Sequence, residues 1–167
     1  MSTEEGVIAS YQHEITVDHN QIFLEDCERE RNVEDLTALY DEGAFARHVG
    51  AAPSQLCIHT ARWYGVVRLE LIVRSDPPDD KLTGWDNVAE ATLELSSGCL
   101  VAFGPESSPD GPRISMLPGI YRVRVYAGDV ETVDEYGQEG QDHYRAVLWP
   151  APYQEPTLLH AGVAHPW

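Results

Sequence analysis

The 167-residue sequence contains no run approaching 18 apolar residues, and so offers no transmembrane helix. Its opening, MSTEEGVIAS, lacks the basic start and apolar stretch of a secretory signal, and the two absences together lead to the expectation of a cytoplasmic protein. Cysteine is scarce. Cys27, Cys57 and Cys99 are odd in number and widely spaced, which argues against a disulfide framework or a CxxC metal clip and leaves free buried thiols as the expectation. Lysine is nearly missing, Lys81 being the only one, and no function follows from that. Basic residues number 11 against 28 acids, a formal net charge of −17. Such a surface is a poor partner for nucleic acid or an anionic membrane, and suits a basic protein, a cation or a high-salt medium. The same acidity also serves solubility alone.

The catalytic and cofactor signatures are missing as well. There is no GxSxG nucleophile elbow, no HExxH zinc helix, no GxGxxG and no P-loop. The segment 129–142 is rich in carboxylates but lacks the Asp-x-Asp-x-Asp-Gly spacing of a calcium loop. Of the seven histidines, His13 and His59 fall within strand patterns, where a hydrogen-bonded structural role is the usual one, and His160 and His165 lie near the end. No catalytic residue, metal ligand or cofactor is therefore expected. Paired carboxylates of the kind used on glycosides are numerous, but only geometry selects a pair.

What is present is alternation. Tyr11, His13, Ile15 and Val17 oppose Gln12, Glu14 and Thr16; Val67, Leu69, Leu71 and Val73 oppose Arg68, Glu70 and Arg74. Ala91, Leu93 and Leu95 oppose Glu90, Thr92 and Glu94, and Tyr121, Val123 and Val125 oppose Arg122 and Arg124 behind the turn Pro118-Gly119. Period two over this length means strands with one dry face and one wet face. Shorter apolar runs at 21–24, 55–60, 99–103, 113–117 and 144–149 add further strands, separated by turn-rich connections at 77–80 and 104–111. The spacing predicts a mainly β fold, an antiparallel sandwich or jelly roll of eight to ten strands. One segment departs from it: Val33, Leu36, Leu39 and Tyr40 predict a short helix over 33–42, with Asn32 as N-cap and Gly43 just past the end. Residues 1–150 read as a single domain and 151–167 as a proline-rich tail.

The acids cluster: 18 of the 28 fall in the stretches 25–42, 76–86 and 128–142. Loops at one end of a sandwich converge, and gathered carboxylates there would speed encounter with a basic partner. The candidate partner-binding residues are Asp129, Glu131, Asp134, Glu135, Glu139 and Asp142, with Tyr136 as an aromatic anchor, and Glu34, Asp35, Asp41 and Glu42 from the earlier stretch. A plainly solvated loop has the same composition. Trp63, Trp85, Trp149 and Tyr121 are expected in the core.

Several segments resemble the ComJ family, small inhibitors of the competence DNA-entry nuclease. Ser10-Tyr-Gln-His-Glu-Ile-Thr-Val17 is similar to that family's opening strand; a helix-like stretch ending in Asp41-Glu-Gly43 follows, then the strand 65–73, and Leu117-Pro-Gly-Ile-Tyr121 is similar to its turn into a later strand. The resemblance spans roughly residues 8–150. It implies a β-rich fold and inhibition by binding a nuclease, with no catalytic residues to carry over. The chain departs from the pattern in longer 76–86 and 104–113 loops and in its tail. Three readings stand: an inhibitor that occludes a nuclease or other basic protein, a small-molecule or carbohydrate-binding sandwich with Trp63 and Trp85 lining a cleft, and an assembly domain pairing with itself as a homo-oligomer.

Overall fold

The computed structural model describes residues 5–30, 35–106, 111–163 and 167. The strands are β1 (Val7–Asp18), β2 (Gln21–Asp26), β3 (Val49–Ala52), β4 (Gln55–His59), β5 (Tyr64–Arg74), β6 (Asn87–Leu95), β7 (Cys99–Phe103), β8 (Arg113–Ser115), β9 (Gly119–Gly128), β10 (His143–Pro150) and β11 (Thr157–Ala161). The helix is α1 (Glu42–Arg47). Each segment expected to be a strand is one. The mainly β class with one short helix holds.

The strands form one mixed sheet in the order β11-β6-β9-β10-β5-β1-β2-β4-β3, with β7 attached to β2 and β8 to β7. Among the described residues the pairing is antiparallel except at one place, where β10 runs parallel to β5 from His143↔Arg68 to Leu148↔Val73. One edge of β2 takes β4; the other begins on β1 at Asp18↔Gln21 and is taken over by β7 at Phe23↔Phe103. The sheet splits and bends at that handover. The chain leaving β7 passes so close to β1 that a Cβ on Gly104 would lie 1.7 Å from the Thr16 carbonyl oxygen, which only glycine avoids.

The bend lays the β3–β4 hairpin over β6. The Glu94 N–H donates to the Pro53 carbonyl (2.7 Å), and the Asn87 side-chain amide donates to the Arg47 carbonyl at the end of α1 (2.9 Å). The alternating residues meet in the core so enclosed: Ile15, Val17, Val67, Leu69, Leu71, Leu93, Val123 and Val125 are buried with Leu24, Leu56 and Leu100.

The outer face of β9 is also covered, which corrects the expectation that Arg122 and Arg124 face water. Arg122 is 3% exposed, pairs with Glu90 (3.0 Å) and donates to the Gln154 and Glu155 carbonyls. Arg124 pairs with Glu90 (2.7 Å) and Asp80 (3.1 Å). A second small core of Val88, Tyr126, Val147 and Trp149 lies on this face, with Leu82 and Trp85 against it.

The helix is displaced from its expected position. Residues 37–39 form one 3-10 turn and α1 begins at 42, because the Asp41 carboxylate accepts from the Ala44 N–H (2.8 Å) and caps a new start. Gly43 is thus inside the first turn. Asn32 and Val33 lie outside the described residues. Leu39 is buried from the 3-10 turn rather than from α1.

The cysteines require a correction too. Cys27, just after β2, and Cys99, at the start of β7, are joined by a disulfide, and the Cys27 N–H donates to the Cys99 carbonyl (3.0 Å). The β2–β7 pairing brings together residues 72 apart in sequence, a meeting that spacing alone does not reveal. Only Cys57 is a free buried thiol. No described helix is long and apolar enough to cross a membrane. Thr157–Ala161, read as tail, adds to β6 as an edge strand.

Candidate functional site

One end of the sheet is organised by the two-residue turn between β1 and β2. His19 and Asn20 both have positive φ (52° and 64°), as a tight hairpin turn requires, and Asn tolerates that backbone well. Asn20 then ties neighbouring segments together: its amide donates to the Thr60 carbonyl (2.9 Å), its carbonyl accepts from Thr60 N–H (2.9 Å), and its N–H donates to the Trp63 carbonyl (3.3 Å).

Beneath the acidic loop 129–141 sits a buried ion pair. Arg62 donates to Asp142 Oδ1 at 2.6 Å and 3.1 Å and to the Gly140 carbonyl at 2.9 Å. The Tyr144 hydroxyl donates to Asp142 Oδ2 (2.8 Å) and accepts from Ala61 N–H (2.9 Å). Burial, with the Asp142 charge beside it, holds the Tyr144 phenol well above its ordinary range, so it stays protonated and donating. Asp142 is 4% exposed and fully engaged, which removes it from the expected contact surface.

The crest of the loop is fixed by the backbone. Trp63 and Tyr64 N–H groups both donate to the Gly137 carbonyl (2.8 and 3.1 Å). Gly137 has φ +67°, and a Cβ there would sit 2.7 Å from Trp63 Cβ, so turn and contact both demand glycine. The Asp134 carboxylate accepts from the N–H groups of Gln138 (2.9 Å) and Glu139 (3.3 Å), and the Gln138 bond leads in holding its carboxyl below the ordinary value. Held this way, the crest presents Glu135, Glu139 and a 69% exposed Tyr136, with Glu131 exposed further back. Among the described residues, no arginine or lysine pairs with Glu131, Glu135 or Glu139. Asp129 lies at the opposite margin, 3.6 Å from His143.

The second group of candidates is brought to the same turn from the other side. The Tyr40 hydroxyl donates to Gln21 Oε1 (2.5 Å), which sets Asp41 and Glu42 beside β2. Asp41 is spent as the helix cap, Glu42 is exposed in the first turn, and Asp35 accepts from Thr37 N–H (3.0 Å) and from its hydroxyl. Glu34 lies outside the described residues. Two neighbouring acids, Glu25 and Asp26, are buried: Glu25 pairs with Arg29 (3.0 Å) and Asp26 accepts from Glu28 and Ser97 N–H groups.

The sequence reading missed a cavity of about 410 Å³ between these two groups, lined by His19, Gln21, Tyr40, Phe45, His48 and His59 among others. Its residues come from four separated segments, and no spacing advertises them. The expected cleft between Trp63 and Trp85 is absent from it: Trp63 is 42% exposed and stacks edge-on to His19, while Trp85 packs on Tyr126 and His143 across the sheet. Among the described residues there is no cluster of histidine, cysteine or carboxylate groups set to hold a metal.

The sequence matches no protein-family model and no curated protein. Two solved structures share its fold. The crystal structure of ComJ, inhibitor of the DNA degrading activity of NucA, from Bacillus subtilis superposes with a TM-score of 0.63 at 11% identity, covering 87% of this chain and 98% of that one. The protein of crocagin biosynthetic gene J superposes with a TM-score of 0.55 at 16% identity, covering 87% of this chain and 100% of the other. By fold, the chain resembles ComJ.

Proposed function

We propose that the protein is a non-enzymatic inhibitor that occludes a nuclease or another basic protein. The observation that carries this reading is the crest of the 129–141 loop: a rigidly anchored, outward-facing set of carboxylates around an exposed tyrosine, with no cation of its own chain paired to Glu131, Glu135 or Glu139 among the described residues. Glu42, exposed in the first turn of α1, adds a further outward-facing carboxylate. A fold shared with ComJ, which inhibits the nuclease NucA, supports an inhibitory role here. Nucleases hold phosphates with cationic surfaces, so an acidic crest fits such a target by charge.

The test is retention of a basic protein by the immobilised chain, compared with a Glu131→Gln/Glu135→Gln/Glu139→Gln/Tyr136→Ala variant. The wild type is expected to retain a protein that degrades DNA, and to suppress that degradation when added back. Equal retention by the variant would overturn the assignment of the loop, and a retained protein without nuclease activity would overturn the nuclease target.

A further inference from the structure

The missed cavity has a wall chemistry unlike the rest of the surface. At about 410 Å³ it is within the usual size of small-molecule sites, roughly 300–1,000 Å³. Its walls are rings. Trp167 stacks on His48 with centroids 3.8 Å apart and planes 15° apart; Phe45 meets His59 edge-on at 4.9 Å, and Tyr40 lies over His59 at 5.9 Å. The Trp167 indole N–H also donates to the His59 carbonyl (2.8 Å). One flat, uncharged heteroaromatic ring is thus already held here, by stacking and a single hydrogen bond.

The walls discriminate by charge. Among the described residues, no Asp, Glu, Lys or Arg side chain lines the cavity. Burial, with the neighbouring His59 adding to it, pushes the His48 imidazole down to about 4; burial also lowers His59, to which the Arg47 charge contributes. Burial raises the Tyr40 phenol above its ordinary value. Walls that resist becoming either cation or anion impose the same desolvation cost on a charged ligand. His59 Nε2 lies 2.8 Å from the Leu39 carbonyl oxygen and must carry the proton there, which leaves Nδ1 as a hydrogen-bond acceptor.

We propose that this cavity is a binding site for a neutral, planar aromatic small molecule of about indole size, stacked among Tyr40, Phe45, His48 and Trp167 and hydrogen-bonded to the His59 imidazole. The site is separate from the 129–141 crest and does not depend on the inhibitor reading.

The test is calorimetric titration of the full chain with indole, tryptamine and indole-3-acetate, three probes with one ring system and different charge. Indole is expected to fill one saturable site, with both charged probes at least about tenfold weaker, a difference of about 1.4 kcal/mol. Phe45→Ala removes a 57% exposed ring and is expected to weaken indole about tenfold with an unchanged melting midpoint. His48→Gly removes a stacking wall while suiting the backbone at φ 60°, and should weaken indole as well. Glu135→Gln should leave the titration unaltered. The proposal is overturned by an absence of saturable indole binding, by a charged probe binding as tightly as indole, or by unchanged affinity in both cavity variants.

Discussion

The segment 76–86 lies across the outer face of the sheet with Asp80 and Asp86 bonded into the fold and Asp79 exposed, whereas the loop 129–141 turns most of its carboxylates out. In the first, Asp80 Oδ1 accepts from Arg124 (3.1 Å) and from the hydroxyl of the fully buried Tyr126 (3.0 Å), Asp76 pairs with Arg74 (3.0 Å), and Asp86 accepts from Val130 N–H (2.9 Å). Trp85 and Leu82 pack down beside them, and the Arg145 guanidinium stacks on Trp85 at 4.9 Å. These acids serve the fold. In the second, all the structural work falls to Asp142 at the root and Asp134 at the crest, and the carboxylates of Glu131, Glu135 and Glu139 face solvent. Density of acid in a sequence therefore says little about availability; what matters is whether an arginine or a backbone N–H meets each carboxylate.

The contrast is sharpened most strongly at the root of the exposed loop. Arg62→Ala or Asp142→Ala strands a buried charge, and each is expected to cost about 3–5 kcal/mol in urea unfolding. A loss below about 1 kcal/mol would mean that the crest is not held from beneath. Next comes acid. Folding lowers the His48 pKa from 6.5 to about 4, so the folded state prefers the neutral ring; that stability is complete above pH 6.5 and drains away as pH falls toward 4. Unfolding free energy should drop on the order of 2 kcal/mol between about pH 7.5 and 5, and the drop should flatten in His48→Asn, which also accepts a left-handed backbone. A pH profile identical in the variant would place the sensitivity elsewhere.

A smaller effect is expected in the segment 76–86. Asp80→Ala leaves the Tyr126 hydroxyl without its acceptor and should cost about 1–3 kcal/mol in thermal or urea unfolding. The smallest effect belongs to the outward-facing carboxylates: Glu131→Gln, Glu135→Gln and Glu139→Gln should each shift stability by no more than about 0.5 kcal/mol. Should any of these three destabilise as much as Asp80→Ala, the division between the two regions would fail.

The strands were legible where one face is wet and one dry, as in β1 and β5, because alternation records that asymmetry. The two that went unread lack it. In β3, Val-Gly-Ala-Ala has small residues because its backbone lies against Leu39, where a Cβ on Gly50 would come within 2.4 Å. In β11 nearly every residue is exposed, so there is no face to mark. The helix was misplaced because Leu36, Leu39 and Tyr40 have helical spacing but belong to a short 3-10 turn that buries only Leu39 fully, while the Asp41 cap begins the helix later. Within the site, Asp142 and Glu139 are indistinguishable in composition; only Arg62, 80 residues before Asp142, separates the buried one from the exposed one. The same distance effect hid the disulfide and the aromatic cavity, whose members meet only after the sheet bends.

The parallel pair at the middle of the sheet sets the order in which the chain can finish folding during synthesis. β5 finds β1 once residue 74 has been made, but its other edge is left open until β10 is complete at residue 150. During that interval the unfinished chain offers a long strand edge with unmet N–H and C=O groups, the kind of template on which neighbouring chains join. The β9–β10 hairpin is then a clasp supplied late by the ribosome, and a polypeptide released before it would carry its own point of aggregation.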